Sequence, residues 1–187
     1  MKAALRNPFC VGAITPSSQT LARAMLKNIH LANNGHVLEL GPGTGAFTKC
    51  IAGHLTDHKN YLGIELDKQF VQTLQLQFPQ LNFAHGSAEY ADRYMGQAGM
   101  STQQLTAIVS GLPFACLPHH VQDNMIDTLN RLMGSHTVFR TFQYLHCWPL
   151  PRAARFRNRM NKLFQKCQVT DLVFRNMPPA LVLSWQR

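Results

Sequence analysis

The stretch His36-Val37-Leu38-Glu39-Leu40-Gly41-Pro42-Gly43-Thr44-Gly45 decides the fold of this chain. An apolar strand runs into a glycine-rich turn and a helix, and a second strand, Tyr61-Leu62-Gly63-Ile64-Glu65, ends in an acid. Glycines at this place allow a sharp strand-to-helix turn and let a ligand approach the backbone closely. An acid at the tip of the next strand can accept hydrogen bonds from ribose hydroxyls. The spacing is G-x-G-x-G with Glu39 upstream, not the dinucleotide fingerprint G-x-G-x-x-G. Together these features describe a crevice for a cofactor that has a ribose but no pyrophosphate. S-adenosylmethionine fits that description, with S-adenosylhomocysteine as its product.

Outward from this stretch, strand and helix patterns alternate with no repeat, low-complexity tract or long linker. Strands are predicted near 36–40, 60–65, 81–85, 105–110, 136–143, 170–175 and 180–186, with helices near 45–54, 67–77, 88–97, 118–133 and 153–167. Pro16-Ser17-Ser18 starts a further helix through about Ile29, with the serines as caps. The last two strands are joined only by Asn176-Met177-Pro178-Pro179. So short a link cannot carry a parallel crossover, so this pair is predicted to be an antiparallel hairpin. The predicted fold is α/β and Rossmann-like: a mostly parallel seven-stranded sheet, helices on both faces and a C-terminal antiparallel hairpin. With 187 residues and 45% apolar composition, one domain over 1–187 is expected, with 1–30 as a lid or membrane-contact segment.

The five cysteines are scattered and odd in number, with no C-x-x-C pair, and suggest neither a disulfide framework nor a zinc site. The nine histidines form no ligand set with Cys, Asp or Glu, so no metal is expected. No apolar run approaches the roughly twenty residues needed to cross a bilayer, and no secretory signal is visible. A cytoplasmic monomer is expected.

The net charge of +9 is unevenly spread. Between positions 152 and 170 there are six bases, Arg152, Arg155, Arg157, Arg159, Lys162 and Lys166, and no acid. Phe156, Met160, Leu163 and Phe164 fall near one side if this segment is helical. A basic amphipathic helix suggests an anionic surface, either lipid headgroups or nucleic acid, although a solvated helix with its apolar face in the core would read the same.

This arrangement resembles the class I S-adenosylmethionine-dependent methyltransferases. The resemblance implies that Glu39, Gly41, Gly43 and Gly45 form the first cofactor motif, that Glu65 holds the ribose and that Leu66 flanks the adenine. Many members carry Gly-Asp-Ala after the third strand; here the segment is Gly86-Ser87-Ala88, followed by Glu89. Ser87 and Ala88 then lie by the adenine, and recognition of its amino group is either weaker there or passes to Glu89.

The fourth strand and its tip read Ile108-Val109-Ser110-Gly111-Leu112-Pro113-Phe114. Ribosomal RNA adenine dimethyltransferases look similar, with Asn-Leu-Pro-Tyr or a close variant there. Their Asn binds the target amine and their aromatic stacks on the base. Gly111 occupies the Asn position and has no side chain to orient an adenine amine, so nucleic acid is not the expected partner.

The chain more closely resembles the bacterial phospholipid N-methyltransferases, which convert phosphatidylethanolamine stepwise towards phosphatidylcholine. The matching segments are Gly12-Ala13-Ile14-Thr15-Pro16-Ser17-Ser18, Ser110 to Pro113, Leu117-Pro118, Phe142-Gln143-Tyr144 with Pro149 and Pro151, and Asn176 to Ala180. This resemblance implies an amine phospholipid substrate and peripheral association with the inner face of the cytoplasmic membrane. Ser110 and Gly111 would flank the cofactor methyl group, Tyr144 and Ser110 would accept or orient the amine, and Arg152, Arg155, Arg159 and Lys162 would contact anionic lipid. A nucleic-acid adenine N-methyltransferase and a small-molecule methyltransferase stay open as alternatives.

Overall fold

The computed structural model describes residues 18–29, 35–165 and 167–187. Its centre is β1, His36–Leu40, with all five residues buried, as a parallel strand covered on both faces requires. The other strands are β2 (Tyr61–Glu65), β3 (Asn82–His85), β4 (Leu105–Ser110), β5 (Val138–Tyr144), β6 (Gln168–Val173) and β7 (Ala180–Trp185). They form one sheet in the order β3-β2-β1-β4-β5-β7-β6. Strands β1 to β5 are parallel, and β7 runs antiparallel to both β5 and β6. The predicted mostly parallel sheet with a terminal hairpin is therefore the fold.

Six helices lie among the described residues: α1 (Gln19–Leu26), α2 (Ala46–Ala52), α3 (Lys68–Gln77), α4 (Ala91–Gln97), α5 (His119–Leu132) and α6 (Pro151–Leu163). Ser18 caps α1 by accepting from the Leu21 amide, and Asp67 caps α3 by accepting from Gln69. The segment predicted as one helix over 88–97 is split. Ala88–Tyr90 makes a tight 3-10 turn capped by Ser87, and α4 follows. Helix α6 begins two residues earlier than expected because Pro151 occupies its first turn, where a missing N–H costs nothing. The expected lid over 1–30 falls largely outside the described residues.

Side-chain alternation along β1 separates two cores. Leu38 and Leu40 pack with Leu62, Ile64 and Ile108 against α4, α5 and α6, whereas Val37 packs with Tyr61, Ala107 and Val109 against α1 and α2. Four rings knit the first core. Phe114 stacks on Phe156 with centroids 4.1 Å apart, and Phe139 and Trp185 meet them at 5.7 to 6.1 Å. Asn161 fixes the Trp185 indole by accepting from its Nε1 at 2.8 Å. On the other face, the buried Arg140 guanidinium donates to the carbonyls of Met25 and Lys27 and so holds the end of α1. Cys50, Cys147 and Cys167 are free thiols.

One acid sits inside the second core. By alternation Glu39 points with Val37 towards α2, and it is fully buried. Its Oε2 accepts from Tyr61 Oη at 2.5 Å and from Thr48 Oγ1 at 2.8 Å, which ties β1 to β2 and α2. Glu39 pairs in register with Gly63, and Tyr61 lies opposite Val37. A Cβ on Gly63 would sit 2.7 Å from Tyr61 Oη, so the absent side chain is what lets the phenol lean along its strand to Glu39. Glu39 Oε1 has no partner. Burial outweighs the two donated bonds and raises the Glu39 carboxyl from 4.5 to about 7, and burial with the same contact holds Tyr61 protonated well above its ordinary range.

Between pH 4.5 and about 7 the folded chain therefore binds a proton that the unfolded chain has released. Stability then falls as pH rises through that window and levels off above it. Glu39→Gln keeps an acceptor for Tyr61 and Thr48 without the charge. Thermal unfolding should show the variant gaining on the parent from pH 5 to pH 8, with a ceiling of about 3 kcal/mol. Parallel melting curves across that range would show that Glu39 carries no such proton.

Candidate active site

The carboxyl ends of the parallel strands form a crevice, the place where open α/β sheets take ligands. Successive tips are joined by backbone bonds beyond the ladders: Gly41 N donates to Ile64 O, Gly111 N to Leu40 O and Gly86 N to Glu65 O, all at 2.8 to 2.9 Å. The turn after β1 uses left-handed backbone at Gly41, Gly43 and Gly45, with φ of 70°, 56° and 83°. The reasons for glycine differ along it. A Cβ on Gly41 would lie 2.6 Å from Leu112 Cδ2, and one on Gly45 would press into Phe78 and Leu74. A Cβ on Gly43 would meet nothing within 4 Å. Gly43 thus faces open space, and its left-handed backbone rather than packing asks for glycine.

Glu65, at the tip of β2, reaches back to this turn. Its Oε2 accepts from Gly43 N at 2.9 Å and its Oε1 from Asp67 N at 3.0 Å. One carboxylate therefore sets the glycine turn against the start of α3. The crevice beside it is lined by Gly41, Glu65, Leu66, Ser87, Ala88, Glu89 and Leu112, with Leu117, Val121 and Met125 closing the far wall. An apolar slot with Glu65 and Glu89 in its lining has the chemistry for a nucleoside, and the residues present fit S-adenosylmethionine.

Ser87 stands where many class I enzymes carry Asp. Its hydroxyl donates to Glu89 Oε2 at 2.9 Å, and Glu89 Oε1 accepts from Asn124 Nδ2 at 2.7 Å. The serine thus presents a carboxylate from two residues on. Asn124 had no sequence signal, because its partner lies across the fold on a different element.

On the acceptor side, the tip of β4 turns in towards the protein. Ser110 is fully buried; its hydroxyl accepts from Leu112 N at 3.2 Å and its carbonyl accepts from Thr141 Oγ1. The Ser110 side chain braces the turn. Gly111 lies against the turn after β1, where a Cβ would stand 2.6 Å from the Gly41 carbonyl oxygen. Phe114, the aromatic of this segment, is 2% exposed and stacked on Phe156. Gln122 holds that arrangement by donating to the Phe114 carbonyl at 2.6 Å.

Tyr144 ends β5 beside this tip and lines a small recess with Pro113, Phe142 and Cys147. Its ring stacks parallel to His146 at 5.7 Å and meets Phe142 edge-on. Burial, with a smaller contribution from Cys147, raises the phenol above its ordinary range, so it keeps its proton at neutral pH.

The basic helix is less free than its sequence implies. Asp123 on α5 pairs with both Arg155 and Arg159, and these two guanidiniums hold its carboxyl below the usual carboxylate range. Arg157 lies over the Trp148 ring at 3.7 Å. Arg152 and Lys162 remain exposed. Of the four bases expected at a lipid surface, Arg155 and Arg159 thus share one partly exposed acid. Asp123, one of two acids on the preceding helix and 32 residues from Arg155, could not be matched to them without the fold. Among the described residues no group of three His, Cys, Asp or Glu side chains is placed to hold a metal, and no helix is long and apolar enough to cross a membrane.

Known proteins place this geometry. A relative from Singulisphaera acidiphila, an ornithine lipid N-methyltransferase, is 28% identical over 179 residues, covering 94% of this chain and 88% of its own. The ribosomal RNA small subunit methyltransferase A of Malacoplasma penetrans is 33% identical over 64 residues, 34% of this chain and 22% of its own. The fold is shared with a TehB-like S-adenosylmethionine-dependent methyltransferase from Corynebacterium glutamicum, at a TM-score of 0.63 and 13% identity over 100% of this chain and 97% of that one. The profile described as ribosomal RNA adenine dimethylase matches residues 17–123, more than half of the chain. That match, which takes in the glycine turn, Glu65 and the β4 tip, establishes that the chain belongs to the ribosomal RNA adenine dimethylase family of S-adenosylmethionine-dependent methyltransferases.

Proposed function

We propose that this chain transfers methyl groups to the amine headgroup of a membrane lipid, phosphatidylethanolamine and its methylated derivatives or an ornithine lipid, at the inner face of the cytoplasmic membrane. The observation that carries this reading is the inward turn of the β4 tip. A flipped base needs a stacking ring and a side chain to hold its amine. Here the ring, Phe114, is 2% exposed against Phe156, and the position of the amine-binding side chain is Gly111. A lipid amine needs neither. The full-length similarity to an ornithine lipid N-methyltransferase supports the same acceptor class, whereas the similarity to the ribosomal RNA enzyme is confined to 64 residues.

The cofactor supplies an activated methyl group, and the protein supplies orientation, a dry site and a neutral amine. Gly43 leaves room for the methionine portion, Glu65 takes the ribose hydroxyls, and Leu66, Ser87, Ala88 and Glu89 frame the adenine. Tyr144, kept neutral by burial, orients the attacking amine through its phenolic oxygen, the carbonyls around Gly111 and Leu112 accept hydrogen bonds from the amine N–H groups, and the proton of the methylated ammonium leaves to solvent. Ser110 acts by holding that turn in place.

Gly43→Ala tests the cofactor end. Its Cβ clashes with no protein atom, so the fold should survive with a small loss of melting temperature, while S-adenosylmethionine affinity by titration calorimetry drops by about tenfold or more. Undiminished affinity would remove Gly43 from the cofactor site. Incubation with labelled S-adenosylmethionine and either amine-lipid vesicles or undermethylated ribosomal RNA tests the acceptor. Label is expected in lipid, and label only in RNA refutes the lipid reading. Tyr144→Phe should lower kcat on lipid by about a hundredfold while leaving cofactor affinity in place; an unchanged kcat would take Tyr144 out of the reaction.

A further inference from the structure

We infer that the β6–β7 turn, 174–179, is a rigid wedge that seats the acceptor face on a lipid surface, with Phe174 and Met177 entering the boundary between headgroups and acyl chains. This rests on the lipid-amine reading above, and deepens it by naming where the bilayer meets the protein.

Position comes first. Because β7 is antiparallel to β5, Ala180 pairs with Tyr144, and Leu145 N donates to Pro179 O at 2.8 Å. The turn therefore stands beside Tyr144, at the same sheet edge as the glycine turn. A lipid that brings its amine to Tyr144 must lie with its glycerol and acyl chains near this turn, since it cannot leave the bilayer.

Rigidity comes second. Asn176 is 3% exposed; its Oδ1 accepts from Ser18 N at 3.0 Å and its Nδ2 donates to Pro178 O at 2.8 Å. The side chain staples the turn to the start of α1 and to itself, and the two prolines restrict φ on the far side. On this braced frame Phe174 is 67% exposed and Met177 77% exposed, with Leu145 next to them at 41%. Single exposed apolar residues need no explanation, but large ones grouped on a rigid turn beside a site mark an interaction surface.

Charge comes third. Arg175 is exposed between the two apolar residues, and no acid lies from 174 to 187. The nearest, Asp171, is paired with Lys27. A cation flanked by apolar side chains complements an anionic headgroup layer. With Arg155 and Arg159 sharing Asp123, the turn adds a cation to those that the basic helix leaves exposed, Arg152 and Lys162.

The test uses the whole chain and vesicles of phosphatidylglycerol with phosphatidylethanolamine. Phe174→Ser with Met177→Ser should lower vesicle binding in sedimentation by about tenfold or more. The same variant should keep its S-adenosylmethionine affinity and its kcat on a short-chain, water-soluble amine lipid. Met177→Trp should show a blue-shifted emission on vesicles that brominated acyl chains quench. Equal vesicle binding by the double variant, or a tryptophan at 177 that bromine does not reach, overturns the wedge. So does a parent that is dimeric in solution and a double variant that is monomeric, which would make the turn a contact between copies. If the parent methylates neither the short-chain nor the vesicular lipid, it is the lipid-amine reading that falls; turnover on both with unchanged binding by the variant sinks the wedge alone.

Discussion

Everything in the site depends on how closely the tips of β1 and β4 approach. Gly111 N donates to the Leu40 carbonyl, and the place where its side chain would begin lies 2.6 Å from the Gly41 carbonyl oxygen. With the two backbones this close, Leu112 is pressed against Gly41 and the chain turns through Pro113 into the core. Phe114 then goes inward, stacked on Phe156 and edge-on to Phe139. The segment that in base-directed relatives reaches out to the substrate is here spent on packing. A side chain at 111 would push the tips apart, so the residue at this position and the packing of the core are coupled through one backbone contact.

The cofactor end shows a second coupling, between acids of different kinds. Glu39 and Glu65 lie on the same side of adjacent strands but in unlike surroundings. Glu39 is sealed under the glycine turn, held near neutrality by burial and joined to Tyr61 and Thr48. Glu65 is at the rim, where backbone amides of Gly43 and Asp67 satisfy it. The buried acid sets the position of the turn; the rim acid holds the turn's inner edge and still has lone pairs for a ribose. A carboxylate accepts about four hydrogen bonds, so two remain.

The fold was legible because period and punctuation agree along most of the chain. Continuous apolar runs gave the parallel strands, and the short link Asn176-Met177-Pro178-Pro179 gave the hairpin. The glycine turn and Glu65 were legible for a local reason: both need backbone conformations or strand-tip positions that few residues supply. What escaped reading depends on pairing across elements. That Phe114 faces inward, that Asn124 holds Glu89 and that Asp123 takes Arg155 and Arg159 follow from helix placement against the sheet. Amphipathic patterning identified one face of α6 as apolar but could not say whether its basic face met water, lipid or another helix.

That last ambiguity bears on how a chain of net charge +9 engages a surface. Charge alone attracts without orienting, since exposed bases such as Arg152 and Lys162 are long, mobile and screened by salt. An enzyme that works on a headgroup must also set the angle and depth of its crevice, because an amine displaced by about 1 Å from the attack line loses much of its rate. Orientation needs a stiff element fixed to the reacting strand. Of the exposed features at this edge, the turn held by Asn176 is joined to β5 through Leu145, one residue beyond Tyr144. In the proposed lipid-bound arrangement, long-range attraction and local registration fall to different parts of the molecule, the first to scattered bases and the second to a braced turn with apolar tips.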